Sequence, residues 1–424
     1  MNGDTRIERQ LPLILADLGA GPTPDYTETL LARTSATSQR PGWVFPERWL
    51  PMSAITERMA TAPRVPLRAA ALVALLILVL AAAALYVGSQ QRRLPEPFGP
   101  AANGLISYMA DGDIYVADPV TGATRLLIGG PENDYGPGFS PDGTRMAFFR
   151  EAGSDTALVV ANEDGSDLRT LATYPTDEVP WVNWAPDSRG FAVISRTLDA
   201  DTKQLDLVDA TGTGTVETIA TIAGLDYVQF RPPDGREILY RAEANGTDGL
   251  YAMNADGTNV HALVERPGGS LWAGWAVYSP DGGRIFYTRD YENASSTGTC
   301  CALWVMDADG GDPHEFIRNQ GTAWDGTPVV SPDGSKVAFW HVADTGQVSV
   351  ARADGTGQVI PTGPMMPNDT PWLAWAPDSS KILLYPNGST STYAYLLDPE
   401  GGQYSRVSWQ SDDGNIDWQR VGTD

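Results

Sequence analysis

From Asn103 to the end of the chain, apolar and polar residues alternate in short bursts, each closed by glycine, proline or aspartate. Alternation of period two between turn residues predicts half-buried β-strands rather than helices. The bursts fall into sets of four. Strand a leads into a Pro-Asp turn, and strand b follows it, as in Arg145 to Arg150 or Lys336 to His341. Strand c is Leu158-Val159-Val160-Ala161-Asn162 or its equivalent. A turn such as Glu163-Asp164-Gly165-Ser166, Ala255-Asp256-Gly257-Thr258 or Ala353-Asp354-Gly355-Thr356 then returns the chain as strand d. Asp-Gly between apolar runs is a strong hairpin signal, because both turn positions tolerate positive φ.

The pattern before residue 103 is different. Ala69 to Val87 is an apolar run without a charge, long enough as a helix to cross a bilayer core, which predicts a transmembrane helix over residues 67–88. A buried core helix is the competing reading, and cleavage near Ala81-Ala82-Ala83 a further one. In residues 1–66, Ile7, Leu11, Ile14, Leu15 and Leu18 have helical spacing, and Thr23-Pro24-Asp25 opens a second short helix. This segment is expected to be small, partly helical and cytoplasmic. Residues 89–102, with Pro95, Pro97 and Pro100, read as an extended linker, and 103–424 as one extracytoplasmic domain.

The turn Ser140-Pro141-Asp142-Gly143 recurs as Ala185-Pro186-Asp187-Ser188, Pro232-Pro233-Asp234-Gly235, Ser279-Pro280-Asp281-Gly282, Ser331-Pro332-Asp333-Gly334 and Ala376-Pro377-Asp378-Ser379. Its aspartates are separated by 45, 47, 47, 52 and 45 residues, the period of a radial β-array. Proline pre-sets φ, aspartate bonds to nearby backbone, and glycine takes positive φ before the next strand. The ends set the blade number. Leu105 to Tyr108, Ile114 to Ala117 and Ala123 to Leu127 look like strands b, c and d, whereas Ile416 to Arg420 looks like a solitary strand a. Joining them closes a ring. The expectation is all-β, a β-propeller of seven blades, with six as the runner-up.

Over about residues 103–420 this repeat resembles the WD40-like Pro-Asp repeats of TolB-type propellers. The resemblance implies a platform for a ligand or protein partner on one face of the ring. Similar propellers occur in a periplasmic scaffold of the Tol system, in the tricorn protease and as the gating domain of prolyl oligopeptidase-like enzymes. The leader and the apolar run fall outside it.

The net charge of -24 is uneven: residues 1–93 carry about +3 and residues 94–424 about -27. A domain so acidic repels phosphate backbones, so nucleic acid is not an expected partner. The two cysteines, Cys300 and Cys301, are adjacent. They read either as two thiols on opposite faces of a strand or as a strained vicinal disulfide.

Catalytic and metal patterns find little support. There is no Gly-x-Ser-x-Gly pentapeptide, and the Asp-box of sialidases is not matched, because aspartate directly precedes glycine. His261, His314 and His341 belong to three successive repeats, so no metal site is expected. Asp307-Ala308-Asp309-Gly310-Gly311-Asp312 has the composition of half a calcium loop, yet it stands at a c-d turn like its sisters. No cofactor is expected.

The segments entering strand a carry the strongest functional signal. There an acid stands near an aromatic ring: Asp134 with Tyr135, Asp177 with Trp181, Asp226 with Tyr227, Trp272, Trp324 with Asp325, Asp369 with Trp372, and Asp413 ahead of Trp418. Repeated around a channel, they would form an acidic, ring-lined funnel for a cationic or amphipathic peptide or a stacked sugar. The competing reading is packing between blades, the role expected of Phe139, Trp184 and Trp375. The leading expectation is a single-pass, extracytoplasmic, non-enzymatic binding scaffold with a protein or peptide partner, or a glycan. The alternatives are a transmembrane sensor, laid out like an anti-sigma factor, that signals to a cytoplasmic partner through residues 1–66, and a glycan-active enzyme using channel carboxylates.

Overall fold

The computed structural model describes residues 75–77, 94–175, 181–196, 202–212, 214–244, 247–267, 276–290, 301–317, 324–342, 346–357, 371–386, 393–412 and 414–422. The chain divides into two compact units, residues 1–90 and 91–424. In the first, Leu75, Leu76 and Ile77 are helical and exposed. The rest of the expected span over 67–88, and both expected helices of 1–66, lie outside the described residues. Among those described, no helix is long and apolar enough to cross a membrane.

The second unit is seven antiparallel sheets. Blade 1 joins β1 (Ala102–Ala110), β2 (Asp113–Ala117) and β3 (Thr124–Ile128) to the last strand, β27 (Asp417–Val421), in the order β27-β1-β2-β3. Blade 2 is β4 (Asp134–Phe139), β5 (Arg145–Ala152), β6 (Asp155–Asn162) and β7 (Arg169–Pro175). Blade 3 is β8 (Trp181–Trp184), β9 (Gly190–Arg196), β10 (Thr202–Asp209) and β11 (Val216–Ala223). Blade 4 is β12 (Leu225–Phe230), β13 (Glu237–Ala244), β14 (Thr247–Asn254) and β15 (His261–Pro267). Blade 5 is β16 (Val277–Tyr278), β17 (Arg284–Asp290), β18 (Cys301–Asp307) and β19 (His314–Glu315). Blade 6 shows β20 (Trp324–Val330), β21 (Lys336–Val342) and β22 (Gly346–Arg352), and blade 7 is β23 (Trp372–Trp375), β24 (Ile382–Tyr385), β25 (Tyr395–Leu397) and β26 (Tyr404–Arg406).

The seven-blade expectation therefore holds, and so does closure by three strands from the start and one from the end. Ile106 lies opposite Trp418 and Ser107 opposite Asp417 across that seam. Both β1 and β27 would otherwise present a bare edge, so their pairing removes a template for aggregation.

Strand alternation distributes the core. In β17, Ile285 and Tyr287 pack toward blade 4 while Phe286 packs toward blade 6. In β5, Ala147 and Phe149 face blade 3 while Met146 and Phe148 face blade 1. Successive side chains point to opposite sheet faces, so each blade feeds two interfaces. One apolar cluster fills each of the seven blade boundaries.

The Pro-Asp turns do what their chemistry predicts. Asp142 Oδ1 accepts from Ser140 Oγ at 2.6 Å and from the Thr144 N–H at 3.0 Å, while the Gly143 N–H donates to Ser140 O. Ser188 and Ser379, which replace glycine in two copies, keep its positive φ of 60° and 64°. Their hydroxyls compensate: Ser188 Oγ accepts the Asp142 N–H of the preceding blade at 3.0 Å, and Ser379 Oγ accepts that of Asp333 at 3.1 Å. At the seam Asn103 Oδ1 accepts the Asp378 N–H in the same way. These aspartates are structural caps that also link neighbouring turns.

The linker residues nearest the propeller lie on it. Ala101 is buried and donates its N–H to Pro377 O, and Arg420 donates to the carbonyls of Glu96 and Gly99. Phe98, Gly99 and Pro100 line a cavity of about 470 Å³ with the Pro-Asp turns of blades 4, 5 and 6. Cys301 is buried at the start of β18 and disulfide-bonded, so the two-thiol reading does not hold.

Candidate functional site

In each complete blade strand a runs from the d-to-a connection to the Pro-Asp turn, so the ring has a loop face and a turn face. The first residues of the inner strands lie toward the loop face. Along these inner strands β4, β8, β23 and β27 enclose a cavity of about 510 Å³ whose wall includes Tyr135, Trp181 and Trp372 toward the loop face and Asn183 and Trp184 toward the turns, with Phe149 and Asp417. Its size suits a side chain or a small ligand. Three of the sequence-predicted residues, Tyr135, Trp181 and Trp372, thus meet at one site contributed by blades 2, 3 and 7. All three are half-buried. The Tyr135 hydroxyl is 3.1 Å from Thr156 Oγ1, which fixes the ring against strand c.

Other predicted residues are placed elsewhere. Tyr227 is buried beside Trp181, with ring centroids 6.0 Å apart, and supports the wall from behind. Trp324 packs with the cluster between blades 6 and 7. Asp177, Trp272, Asp369 and Asp413 lie outside the described residues.

The acids differ most from the funnel picture. Asp134 is fully buried and takes two hydrogen bonds of 2.7 Å from Arg150, its cross-strand partner on β5. This pair raises the Arg150 guanidinium above its ordinary value. Asp226 pairs with Arg241, which also holds Asp248 of β14 through bonds of 2.9 and 2.6 Å. Asp325 is buried, and its Oδ1 lies 2.6 Å from Nδ1 of its cross-strand partner His341. The hydrogen bond with Asp325 raises His341 above its ordinary value. In three blades the acid at the start of strand a therefore pairs with a basic residue near the end of strand b. Asp134 and Asp325 are buried, where such a partner offsets the cost of removing a carboxylate from water, whereas Asp226 is exposed. These are clamps within blades rather than free funnel charges.

Among the described residues of the cavity wall, Asp417 is the one that carries a formal charge, and it is not among the residues that the sequence singles out. Its Oδ2 accepts the Phe139 N–H at 2.7 Å, tying blade 1 to blade 2, and its Oδ1 accepts the N–H of Trp418 at 2.8 Å. Enclosure pushes its carboxyl up to about 6, against those two donors. The same position in other blades, one residue before the strand-a aromatic, carries Asn183 before Trp184 and Gln229 before Phe230. Their side-chain oxygens accept the N–H of Phe230 and Tyr278 in the next blade. The signal was present in sequence as a polar residue directly before that aromatic. The aromatics assigned to packing do pack: Trp184 lies 4.0 Å from Phe191, and Trp375 Nε1 donates to Val329 O.

The histidines are dispersed. His261 is half-buried and His314 exposed, with Nδ1 against the carbonyls of Asn259 and Asp312. Asp309 caps its own turn through the Gly311 N–H, as its sisters do.

No family model matches the chain. A Tol-Pal system protein TolB of Anaeromyxobacter dehalogenans is 30% identical over 176 residues, which span 41% of this chain and 38% of that protein. Among solved structures, TolB of Acinetobacter baumannii has a TM-score of 0.50 at 19% identity, covering 74% of this chain and 81% of that one. An oligogalacturonate lyase of Vibrio parahaemolyticus has a TM-score of 0.53 at 14% identity, covering 75% and 89%. At these identities the structures show the fold alone. The chain carries a seven-bladed β-propeller similar to those of TolB proteins, and it spans well under half the length of the TolB relative it matches in sequence.

Proposed function

We propose that this protein is a membrane-anchored, extracytoplasmic scaffold that holds a protein or peptide partner at the loop face of its propeller without catalysing a reaction. The observation that carries this reading is the convergence of Tyr135, Trp181 and Trp372 on one cavity of about 510 Å³. Half-buried aromatic rings around a concavity offer large, stiff contact area at little entropic cost, which is how binding surfaces anchor a partner. The resemblance to TolB propellers supports a protein partner, and the apolar run from Ala69 to Val87 supports the anchor.

The test is partner capture by the full-length chain from its own membranes, compared with the triple variant Tyr135→Ala, Trp181→Ala, Trp372→Ala. Capture is expected to be lost while the melting temperature stays within a few degrees. Loss of folding in the variant would make the rings core, and undiminished capture would move the site elsewhere. Protease added to intact cells or spheroplasts is expected to remove the propeller; its protection there would contradict the anchor's orientation.

A further inference from the structure

We propose that the cavity is a receptor for a primary ammonium group, a lysine side chain or an N-terminal amine presented by the partner, with Asp417 as the residue that binds it. The inference deepens the scaffold reading and rests on it for the source of the ligand.

Three features of the wall point to this chemistry. First, the rings of Tyr135, Trp181, Trp184 and Trp372 surround the space, and the faces of aromatic rings attract cations. Second, among the described lining residues Asp417 is the sole formal charge, and none of those residues is a cation that would pair with it as Arg150 pairs with Asp134. Third, its two oxygens accept one backbone N–H each, which leaves a lone pair on each oxygen for a further donor. An ammonium supplies three donors and a positive charge, and its alkyl stem suits an aromatic sleeve. The guanidinium of Arg420 stands three residues further along β27, where it holds the carbonyls of Glu96 and Gly99 on the turn face. Arrangement explains selectivity as well. A carboxylate or phosphate group would meet Asp417 with like charge, and a purely apolar ligand would leave a carboxylate enclosed without a counterion.

Among the described residues, the charged group acting on Asp417 is Arg420 of its own strand. β4 places the uncharged Tyr135 phenol in the same wall, β1 presents the uncharged Ser107 opposite Asp417, and β23 contributes no titratable lining residue.

The experiment uses the full-length chain in detergent micelles and three small probes: N-acetyl-lysine methylamide, alanine methylamide with a free amine, and N-acetyl-norleucine methylamide as the uncharged control. Binding is read from tryptophan fluorescence and titration calorimetry. At least one amine probe is expected to bind about tenfold more tightly than the norleucine probe, and which one wins identifies a side chain or a chain terminus as the source. Asp417→Asn is expected to remove that advantage while leaving norleucine binding unchanged. Because Asp417 also caps two backbone N–H groups, the wild-type protein provides an independent arm: amine affinity should fall as pH is lowered through about 6, and norleucine affinity should not. Equal binding of the amine and norleucine probes, or amine binding that survives both Asp417→Asn and low pH, overturns the proposal. Partner capture that is abolished by the triple ring variant yet intact in Asp417→Asn overturns the ammonium receptor and keeps the scaffold. Amine binding without any captured partner does the reverse.

Discussion

His341 meets Asp325 across the first rungs of blade 6 at 2.6 Å, in the place where Arg150 meets Asp134 in blade 2. Both pairs stand directly opposite across strands a and b, but Arg150 grips both carboxylate oxygens and stays charged, whereas His341 meets one oxygen and is a residue type that titrates near neutrality. Because the hydrogen bond with Asp325 raises the folded-state value of His341 above its ordinary 6.5, the pair stabilises the fold fully below 6.5. That contribution is lost as pH rises through the raised value. The expected effect is about 1.5–3 kcal/mol, the net worth of a hydrogen bond to a charged group. Thermal melts from pH 6 to pH 9 should show wild type losing this increment relative to His341→Arg. Parallel profiles would mean that the pair carries no linked stability.

Removing one member of the blade 2 clamp should be severe. Arg150→Ala leaves Asp134, which is fully buried, without its counterion, at an expected cost of about 3 kcal/mol. Replacing both, Asp134→Ala with Arg150→Ala, should recover part of that loss. A double-mutant cycle by urea unfolding measures the coupling, and strict additivity of the two single changes would contradict the clamp.

The Pro-Asp-Gly turns allow backbone conformation and crowding to be separated. Gly143 and Gly153 have nearly the same φ, +69° and +71°, yet a Cβ on Gly143 would stand 1.9 Å from Arg420 O, while one on Gly153 would meet nothing within 4 Å. Gly153→Ala should cost about 1 kcal/mol from positive φ alone. Gly143→Ala should cost several times more, since blade 1 must move away. Similar melting temperatures for the two variants would show that the turn is not pressed against the neighbouring blade.

Much of the architecture was readable because its determinants are local. A proline that sets φ, an aspartate that bonds to nearby backbone and a residue at positive φ act within four positions, so Asp142 and its sisters announce themselves in any single repeat. Closure was readable for the same reason: strands b, c and d at Leu105–Leu127 lacked a strand a, and Asp417–Val421 supplied one. The site was only partly readable. Tyr135, Trp181 and Trp372 could be named, but not that they share a cavity from which Tyr227 and Trp324 are absent, because that depends on how blades 2, 3 and 7 stand around the channel. The acids next to them misled, since charge in sequence does not reveal a counterion 15 or 16 residues away on strand b. Counting from Asp134 to Arg150 and from Asp325 to His341 would have exposed the regularity. Asp417 stands out less in sequence than Asp413, although its position directly before Trp418 matches Asn183 before Trp184.

The scaffold reading is tested most directly by photo-crosslinking in living cells, with p-benzoylphenylalanine placed at position 372 on the loop face or at position 234 on the turn face of the full-length chain. A discrete protein adduct from position 372, absent from position 234 and lost when Trp181→Ala is added, is the expected result. An adduct formed only from position 234, or none from position 372 in cells where the chain is folded and abundant, would contradict it.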